Sequence, residues 1–170
     1  MTASEAIRAR RSIRSYAPGV TIPQEHIHQM LEAAMMAPSA CNFRPWEFFV
    51  VENRDALSRI AAASPYAGFV DKASLAVVVC GIPETQGHLP GDGYWPQDCG
   101  AAIQNLLLQA VELGYGTCWC GLYPVMDRTN TLREILGTDR MPLGVIAVGV
   151  PTETPAPRGH YEESKVHYIK

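Results

Sequence analysis

Ala37-Pro-Ser-Ala-Cys-Asn-Phe-Arg-Pro-Trp46 connects a helical pattern to the apolar run Glu47-Phe-Phe-Val-Val51. Pro38 ends the helix, and the second proline of the stretch restricts the entry into the following strand. Ser39 and Asn42 can hydrogen-bond either the backbone or a ligand. A loop that is restrained at both ends suits a binding site, although a plain helix-to-strand connection explains the same residues. The loop taken alone favours the plain connection, so the choice depends on the rest of the chain.

The composition predicts one globular domain over residues 1–170. The chain has 47% hydrophobic and 18% charged residues, and a domain of this size buries roughly 70% of its unfolded surface in one core. A net charge of −3 without a block of Lys and Arg argues against nucleic-acid binding. We find no signal-peptide pattern and no apolar segment of the roughly 20 residues that a membrane span needs. The odd number of cysteines suits a reducing compartment, so we expect a soluble, cytoplasmic protein.

Helical and strand patterns alternate along the chain, which predicts a sheet covered by helices. Helices are expected to begin near Thr2, Pro23, Asn53, Asp98 and Asp127. Strands are expected at Glu47–Val51, Leu75–Cys80, Gly116–Gly121 and Leu143–Val150. The helix after Asp98 has a long apolar face of period 3.6 and is the predicted central helix.

A cationic run follows the first predicted helix. Arg8, Arg10, Arg11 and Arg14 surround Ser12 within a short stretch. Guanidinium groups suit phosphate oxygens, but a solvated basic helix end is the commoner explanation of such a run.

Two further segments and one tryptophan have two interpretations each. The Pro/Gly-rich loop Ile82–Gln97 is either a lid or a plain connection, and Trp46 beside Pro45 is a core or interface anchor. The tail 162–170 carries Val166, Tyr168 and Ile169, which favours an edge strand that pairs within the chain or on a partner subunit.

Several familiar motifs are absent. Gly114-x-Gly116 has Trp119 where a dinucleotide fingerprint needs glycine, and neither a Gly-Lys-Ser/Thr phosphate loop nor a Gly-x-Ser-x-Gly elbow occurs. Cys118-x-Cys120 is too closely spaced for the usual zinc pair and has no second pair. We therefore predict no metal site and interpret all five cysteines as buried, inert thiols.

The Arg10-Arg-Ser-Ile-Arg14 run, the Ala37–Trp46 loop, the Gly116–Gly121 segment and Arg158 together resemble the FMN-dependent nitroreductase family across nearly the whole chain. The resemblance implies an α+β fold, in which a mixed, mainly antiparallel sheet is sandwiched by helices with a long central helix. It also implies a homodimer with C-terminal exchange and FMN at the subunit interface.

By position, the resemblance assigns the flavin contacts to several groups of residues. The FMN phosphate is assigned to Arg10, Ser12 and Arg158, and the ribityl chain and pyrimidine edge to Arg11 and Arg14. The loop of the other subunit contributes Pro38, Ser39 and Asn42, and the backbone amides near Cys120 and Gly121 face flavin N5. A cation near the pyrimidine and a donor at N5 suit flavin chemistry, so no side chain is expected to act as a nucleophile.

Three positions carry additional expectations. Family members commonly have glutamine where this chain has Arg44, which either favours anionic substrates or lies in solvent. Tyr94 and Trp95 lie in the Pro/Gly-rich loop and are candidates to stack over the flavin or its substrate.

The resemblance implies an oxidoreductase that takes hydride from NADH or NADPH and reduces a nitroaromatic, a quinone or a related small acceptor by a ping-pong mechanism. It also covers enzymes of the same fold that remove halogen, oxidise azolines or fragment flavin. A non-catalytic module that binds an unrelated anion is the alternative from another class.

Overall fold

The computed structural model of the protein describes residues 1–89, 93–156, 158–159 and 161–170. Within this part of the chain the five α-helices are α1 (Ala3–Ala9), α2 (Gln24–Met35), α3 (Arg54–Ala62), α4 (Trp95–Glu112) and α5 (Met126–Leu136). The four strands are β1 (Trp46–Val51), β2 (Leu75–Gly81), β3 (Gly116–Gly121) and β4 (Met141–Gly149). Part of the predicted Ile82–Gln97 loop, residues 90–92, lies outside the described residues, as do residues 157 and 160.

The strands form one sheet in the order β1-β2-β4-β3, and each neighbouring pair is antiparallel. A parallel bridge between Ser12 and Thr117 adds the N-terminal segment to the outer edge of β3. The sheet is therefore mixed and mainly antiparallel, and the predicted α+β fold is confirmed.

Helices cover both faces of the sheet. Side chains alternate across a strand, so Val77 and Val79 of β2 pack in the core with α2 and α4, whereas Val78 packs in a second core with α3 and α5. This double burial explains why β2 is apolar at consecutive positions rather than at alternate ones.

The long helix α4 begins earlier than the sequence predicts. Trp95 is its first residue, is only 1% exposed, and packs edge-on against Tyr123 with ring centroids 4.8 Å apart. The predicted role of Trp95 as a loop residue stacking over a flavin is therefore wrong, because its indole fills the core beneath Gly81. Asp98 is likewise not the N-cap; it lies inside the helix and is buried.

The C-terminal tail forms no strand within residues 161–170 and contains only a short turn at Glu163–Lys165. Its apolar side chains lie in solvent, and Ile169 is 101% exposed. The predicted pairing of this tail within the same chain is therefore wrong. Among the described helices, none has the length and apolarity that crossing a membrane requires.

Candidate functional site

The cationic segment Arg10–Arg14 is held in an extended form along the edge of the sheet. The Ile13 amide donates to the Thr117 carbonyl oxygen over 2.8 Å, and the buried Tyr16 hydroxyl donates back to the Ile13 carbonyl. On the other side, the Glu153 carboxylate accepts from the Arg14 amide over 2.6 Å. The segment is thus fixed between β3 and the chain that follows β4, which sets where its side chains emerge.

The arginines of this segment have different surroundings. Arg11 donates to the backbone carbonyl oxygens of Arg8, Arg10 and Ala156 over 2.6–3.2 Å. Its guanidinium therefore closes the end of α1 and anchors the C-terminal segment. These bonds use Nε and Nη1 of Arg11, which leaves only Nη2 for the contact with a ribityl chain that the resemblance implies.

Arg14 emerges into a cleft at the edge of β3. The cleft has a volume of about 420 Å³, and its lining includes Arg14, Tyr66, Phe69, Cys118, Cys120 and Gly121. The Arg14 guanidinium lies 5.8 Å from the centroid of the Phe69 ring, within the range of a cation–π contact. The cleft therefore combines apolar walls with one cation from the predicted segment.

The sequence does not predict the aromatic wall of this cleft. Tyr66 and Phe69 lie on either side of Gly68, after α3, and Arg128 of α5 stacks 5.4 Å from the Tyr66 ring centroid. Locally, the sequence shows only a tyrosine, Tyr66, beside Pro65. Turn residues alone do not show which strand they face, so this pair does not reveal the wall.

The backbone at the end of β3 directs only one of the two predicted amides toward the cleft edge. The Leu122 amide donates to the Leu143 carbonyl on β4, whereas the Thr117 carbonyl accepts from Ile13 on the outer side. Backbone groups alternate along an antiparallel ladder, so the Cys120 amide points toward β4 and the Gly121 amide points outward. Gly121 is therefore the amide donor that a ligand at this edge can use.

Trp119 lies on the opposite face of β3 and is fitted against β4. A Cβ at Gly144, which pairs with Gly121 on β3, would overlap the Trp119 indole nitrogen. Gly144 is thus required for close approach of the indole, which is half-exposed at 41%.

The Ala37–Trp46 loop has an unusual backbone. Cys41, Asn42 and Arg44 have φ values of 49°, 57° and 51°, the left-handed region, which costs residues other than glycine and asparagine roughly 1–2 kcal/mol each. The Ser39 hydroxyl accepts from the Arg44 amide over 2.9 Å and stabilises this turn. Such strain is typical of functional loops.

A buried polar network secures this loop to α4. The Asp98 carboxylate accepts from the Ala40 amide over 3.1 Å and from the Gln86 side chain over 2.7 Å. Gln86, which is 1% exposed, in turn accepts from the Tyr94 amide over 2.7 Å. The sequence contains a signal for this network, because Asp98 interrupts the apolar face of α4.

The structure does not bring all predicted site residues together within one chain. None of the described residues that line the cleft comes from the Ala37–Trp46 loop. Pro38 and Asn42 are exposed elsewhere on the surface, Ser39 is half-buried and Tyr94 is 50% exposed. Ser12 bridges Thr117 of β3, Arg10 precedes it in the same segment, and Arg158 follows Ala156, whose carbonyl oxygen accepts from Arg11.

The cysteines differ from the sequence expectation in one respect. Cys80, Cys99, Cys118 and Cys120 are buried, but Cys41 is exposed. The interpretation of all five as buried thiols is wrong for Cys41, which lies in the turn of the strained loop.

Comparisons with known proteins agree with this architecture. The sequence model of the Nitroreductase family matches residues 7–82 and 63–150. A protein of Methanothermobacter thermautotrophicus, provisionally described as an NADH dehydrogenase/NAD(P)H nitroreductase, is 40% identical over 100% of this chain and 88% of its own length.

Solved structures show the same similarity in three dimensions. A crystal structure from Parabacteroides distasonis, with the same provisional description, superposes with a TM-score of 0.91 at 36% identity and covers 98% of this chain and 97% of its own. A nitroreductase of Desulfovibrio desulfuricans, also provisionally described and crystallised in complex with FMN, gives a TM-score of 0.84 at 28% identity over 98% of this chain and 96% of its own. The chain described here therefore belongs to the Nitroreductase family.

Proposed function

We propose that the protein is an FMN-dependent oxidoreductase that takes electrons from NADH or NADPH and reduces a small acceptor such as a nitroaromatic or a quinone. The observation that carries the proposal is the edge of β3, where the Arg14 guanidinium and the outward-facing Gly121 amide border one aromatic-walled cleft. The FMN complex of the D. desulfuricans relative and the provisional NAD(P)H nitroreductase description of the M. thermautotrophicus relative support the choice of cofactor and electron donor.

The residues present fit a flavin mononucleotide. Tyr66 and Phe69 offer apolar surface for a flat conjugated ring, and Gly121 offers a fixed hydrogen-bond donor. Arg14 places a positive charge where an anionic reduced ring benefits from it. This combination of two cations (Arg14 and Arg128), one amide and an aromatic wall suits a flavin better than a simple inorganic anion, which needs no ring surface.

The phosphate end is proposed to bind Arg10, Ser12 and Arg158. Arg11 holds the Ala156 carbonyl oxygen over 3.2 Å, which keeps the C-terminal segment beside the Arg10–Arg14 run. Arg158 follows Ala156 by two residues and is exposed, so its side chain is within chain reach of the same region. Guanidinium groups bind phosphate through paired, charge-assisted hydrogen bonds.

Bound FMN supplies hydride acceptance from a nicotinamide donor and electron release to the second substrate. The role of this chain would be to bind and orient FMN: Arg14 would stabilise negative charge, the Gly121 amide would donate a hydrogen bond to the ring, and the aromatic wall would exclude water from one side. Because the cleft is a single open site, donor and acceptor would occupy it in turn, which is a ping-pong order.

The site is proposed to be completed by a second copy of the chain. Pro38, Ser39 and Asn42 lie on a strained loop that does not line the cleft of its own chain. The exposed apolar tail around Val166 and Ile169 suits an exchanged C-terminal segment that packs on a partner. An obligate dimer of this kind buries roughly 2,000 Å² or more.

The activity is tested with purified protein that has been reconstituted with FMN under anaerobic conditions. We expect NADH or NADPH to bleach the bound flavin spectrum, and a nitroaromatic or quinone added afterwards to restore it. Protein that binds no FMN, or whose bound flavin is not bleached by either nucleotide, contradicts the proposed function.

A further inference from the structure

Arg128 is a half-buried arginine that lines the cleft at the edge of β3. Its guanidinium carbon lies 5.4 Å from the centroid of the Tyr66 ring, which is a cation–π contact and not an ion pair. Within the described part of the chain, Arg128 forms no ion pair and donates no hydrogen bond. Partial burial removes water from a charged group, so a bound anion would supply the partner that the chain does not.

The position of Arg128 does not stabilise its own helix. Arg128 lies in the first turn of α5, which begins at Met126. The N-terminus of a helix carries a partial positive charge, so a cation in the first turn is unfavourable and an acidic residue is favourable. Asp127 meets that preference in α5. Arg128 is therefore explained better by the cleft that it lines than by helix stability.

The cleft has an excess of positive charge. Arg14 and Arg128 both line it, and none of the described lining residues is an aspartate or a glutamate. The Glu153 carboxylate accepts from the backbone amides of Arg14 and Ser15 over 2.6 Å and 3.1 Å. Among the described residues, Glu153 forms no ion pair with a guanidinium. A concave site lined by charge of one sign concentrates ligands of the opposite sign.

The proposed flavin contacts give Arg128 no group of its own to bind. The ring contacts use Arg14 and Gly121, and the phosphate is assigned to residues of the two terminal segments. Arg14 would balance the negative charge of the reduced ring. The charge of Arg128 then stays unbalanced until a second anion enters the cleft.

The size and the walls of the cleft favour a small aromatic carboxylate. Its volume of about 420 Å³ lies toward the lower end of the roughly 300–1,000 Å³ found for ligand pockets. A guanidinium fork matches a carboxylate through two parallel hydrogen bonds, and Tyr66 and Phe69 offer surface to an aromatic ring. In NADH and NADPH a ribose separates the phosphates from the nicotinamide, whereas a benzoate carries its charge directly on the ring.

We propose that Arg128 determines the specificity for the electron acceptor by binding the carboxylate of a small aromatic acceptor such as a nitrobenzoate. The inference rests on the proposed function, because it names the class of the second substrate. In each turnover, one hydride from NADH or NADPH and one proton from water convert the nitro group into a nitroso group and one water molecule. Arg128 binds and orients the acceptor and forms no covalent bond.

The first experiment measures binding without turnover. Isothermal titration calorimetry of the full-length protein, in buffer that contains FMN and no electron donor, compares 4-methylbenzoate with the neutral 4-methylbenzamide. Arg128→Gln should weaken benzoate binding about tenfold or more, because hydrogen bonds to charged groups are strong, and should weaken amide binding far less. Arg128→Lys keeps the charge but loses the fork, so its benzoate affinity should be intermediate. Arg59→Gln, which removes an exposed arginine of α3, is the matched control and should bind like the parent.

Steady-state kinetics distinguish acceptor specificity from a purely structural role. For Arg128→Gln, the ratio of kcat/KM for 4-nitrobenzoate to kcat/KM for 4-nitrobenzyl alcohol should fall about tenfold, through a higher KM for the anion. A residue that only supports the fold would lower both values together. The fall should also exceed any change in the anaerobic rate at which NADH bleaches the flavin, which distinguishes an acceptor carboxylate from the phosphates of the donor.

Equal benzoate affinity in the parent and in Arg128→Gln, or no measurable benzoate binding by the parent, would overturn the proposal. So would an unchanged acceptor ratio, or a loss confined to bleaching by NADH. If Arg128→Gln does not fold, as judged by circular dichroism, the titration of Arg128→Lys decides: weaker benzoate binding supports the proposal, and parental binding contradicts it. A parent whose flavin neither nucleotide bleaches contradicts the proposed function, whereas the titration still reports on Arg128.

Discussion

The carboxylate of Asp98 accepts a hydrogen bond from the Ala40 amide over 3.1 Å, which joins the first turns of α4 to the strained loop. The same buried carboxylate accepts from Gln86 over 2.7 Å. Asp98→Ala leaves both donors without this acceptor, and an unsatisfied buried polar group costs about 1–3 kcal/mol. We expect this loss in urea unfolding, together with weaker FMN retention. Asp98→Asn keeps one acceptor oxygen and should lose less of both, whereas wild-type stability of Asp98→Ala would show that the network does not hold the loop.

Two substitutions at Asn42 distinguish the effect of the loop's backbone conformation from the effect of the Asn42 side chain. Because its φ is 57°, Asn42→Gly relieves the backbone, and Asn42→Ala adds roughly 1–2 kcal/mol of strain. If the side chain contacts flavin, both variants should retain less FMN, and only the alanine variant should also lose stability. Equilibrium dialysis with FMN and thermal unfolding measure the two effects. Unchanged flavin content and turnover in both variants would leave the loop as a plain connection.

Substitutions of Arg11 and Arg14 are expected to affect different properties, stability and FMN binding respectively. Arg14 borders the cleft, so Arg14→Ala should weaken FMN binding about tenfold or more, since a hydrogen bond to a charged group contributes about 1.5–3 kcal/mol. Arg11 donates to backbone carbonyl oxygens, so Arg11→Ala should lower the free energy of unfolding instead. Arg59→Ala on the exposed side of α3 is the matched control and should change neither. Weaker FMN binding in Arg11→Ala together with a lower free energy of unfolding in Arg14→Ala would show that Arg11 is the flavin ligand.

The fold follows closely from the sequence where local and long-range preferences agree. The Thr2–Glu5 capping box starts α1, Asn53 caps α3 through the Ala56 amide, and the apolar run of β2 is buried on both faces. The start of α4 does not follow, because Trp95 enters the helix to fill the space beside Gly81 and Tyr123. A pattern read along the chain does not show which glycine across the sheet leaves room for an indole.

The candidate site follows from the sequence only in part for the same reason. The Arg10–Arg14 run and the Gly116–Gly121 segment meet as predicted, since both lie at the edge of β3. Two features depend on tertiary contacts: the hydrogen bonds from Arg11 to backbone carbonyl oxygens, and the aromatic wall formed by Tyr66 and Phe69. Neither has a periodic signal in the chain.

A substitution at Gly144 tests how closely the Trp119 side chain of β3 packs against β4. A Cβ at this position overlaps the Trp119 indole, so Gly144→Ala should destabilise the protein by about 1–3 kcal/mol, as overpacking does. A Cβ at Gly68 meets nothing within 4 Å, and Gly68→Ala should stay within about 0.5 kcal/mol of the parent. Thermal unfolding compares the two variants. An equally small effect at Gly144 would mean that Trp119 moves freely off the sheet.

The lowered pKa of Cys118, which lies next to Cys120 on one face of β3, leads us to expect a pH dependence of the free energy of unfolding. The pKa of Cys118 is lowered from 9.0 to about 7 in the folded protein, first by its hydrogen bond with Cys120. A depressed pKa means that the folded state favours the thiolate, so this contribution is fully present above the unfolded value and is lost as the pH falls through about 7. The free energy of unfolding of the parent relative to Cys118→Ser should therefore rise between about pH 7 and pH 9.

Cys80 provides the control for that titration. Burial raises its pKa to about 12, so its thiol is neutral in the folded state across the same interval, and Cys80→Ser should not reproduce the rise. Urea unfolding under reducing conditions at several pH values measures both variants. A difference between parent and Cys118→Ser that stays flat or falls over this interval would contradict the assignment of a stabilised thiolate.

We expect two copies of this chain to build a flavin site that one copy does not complete. Sedimentation velocity of FMN-reconstituted protein, recorded both in the protein band and in the visible flavin band, tests it most directly. We expect the flavin to sediment only with a dimer, at one FMN per chain. Flavin that sediments with a folded monomer, or that does not sediment with the protein at all, would contradict the account.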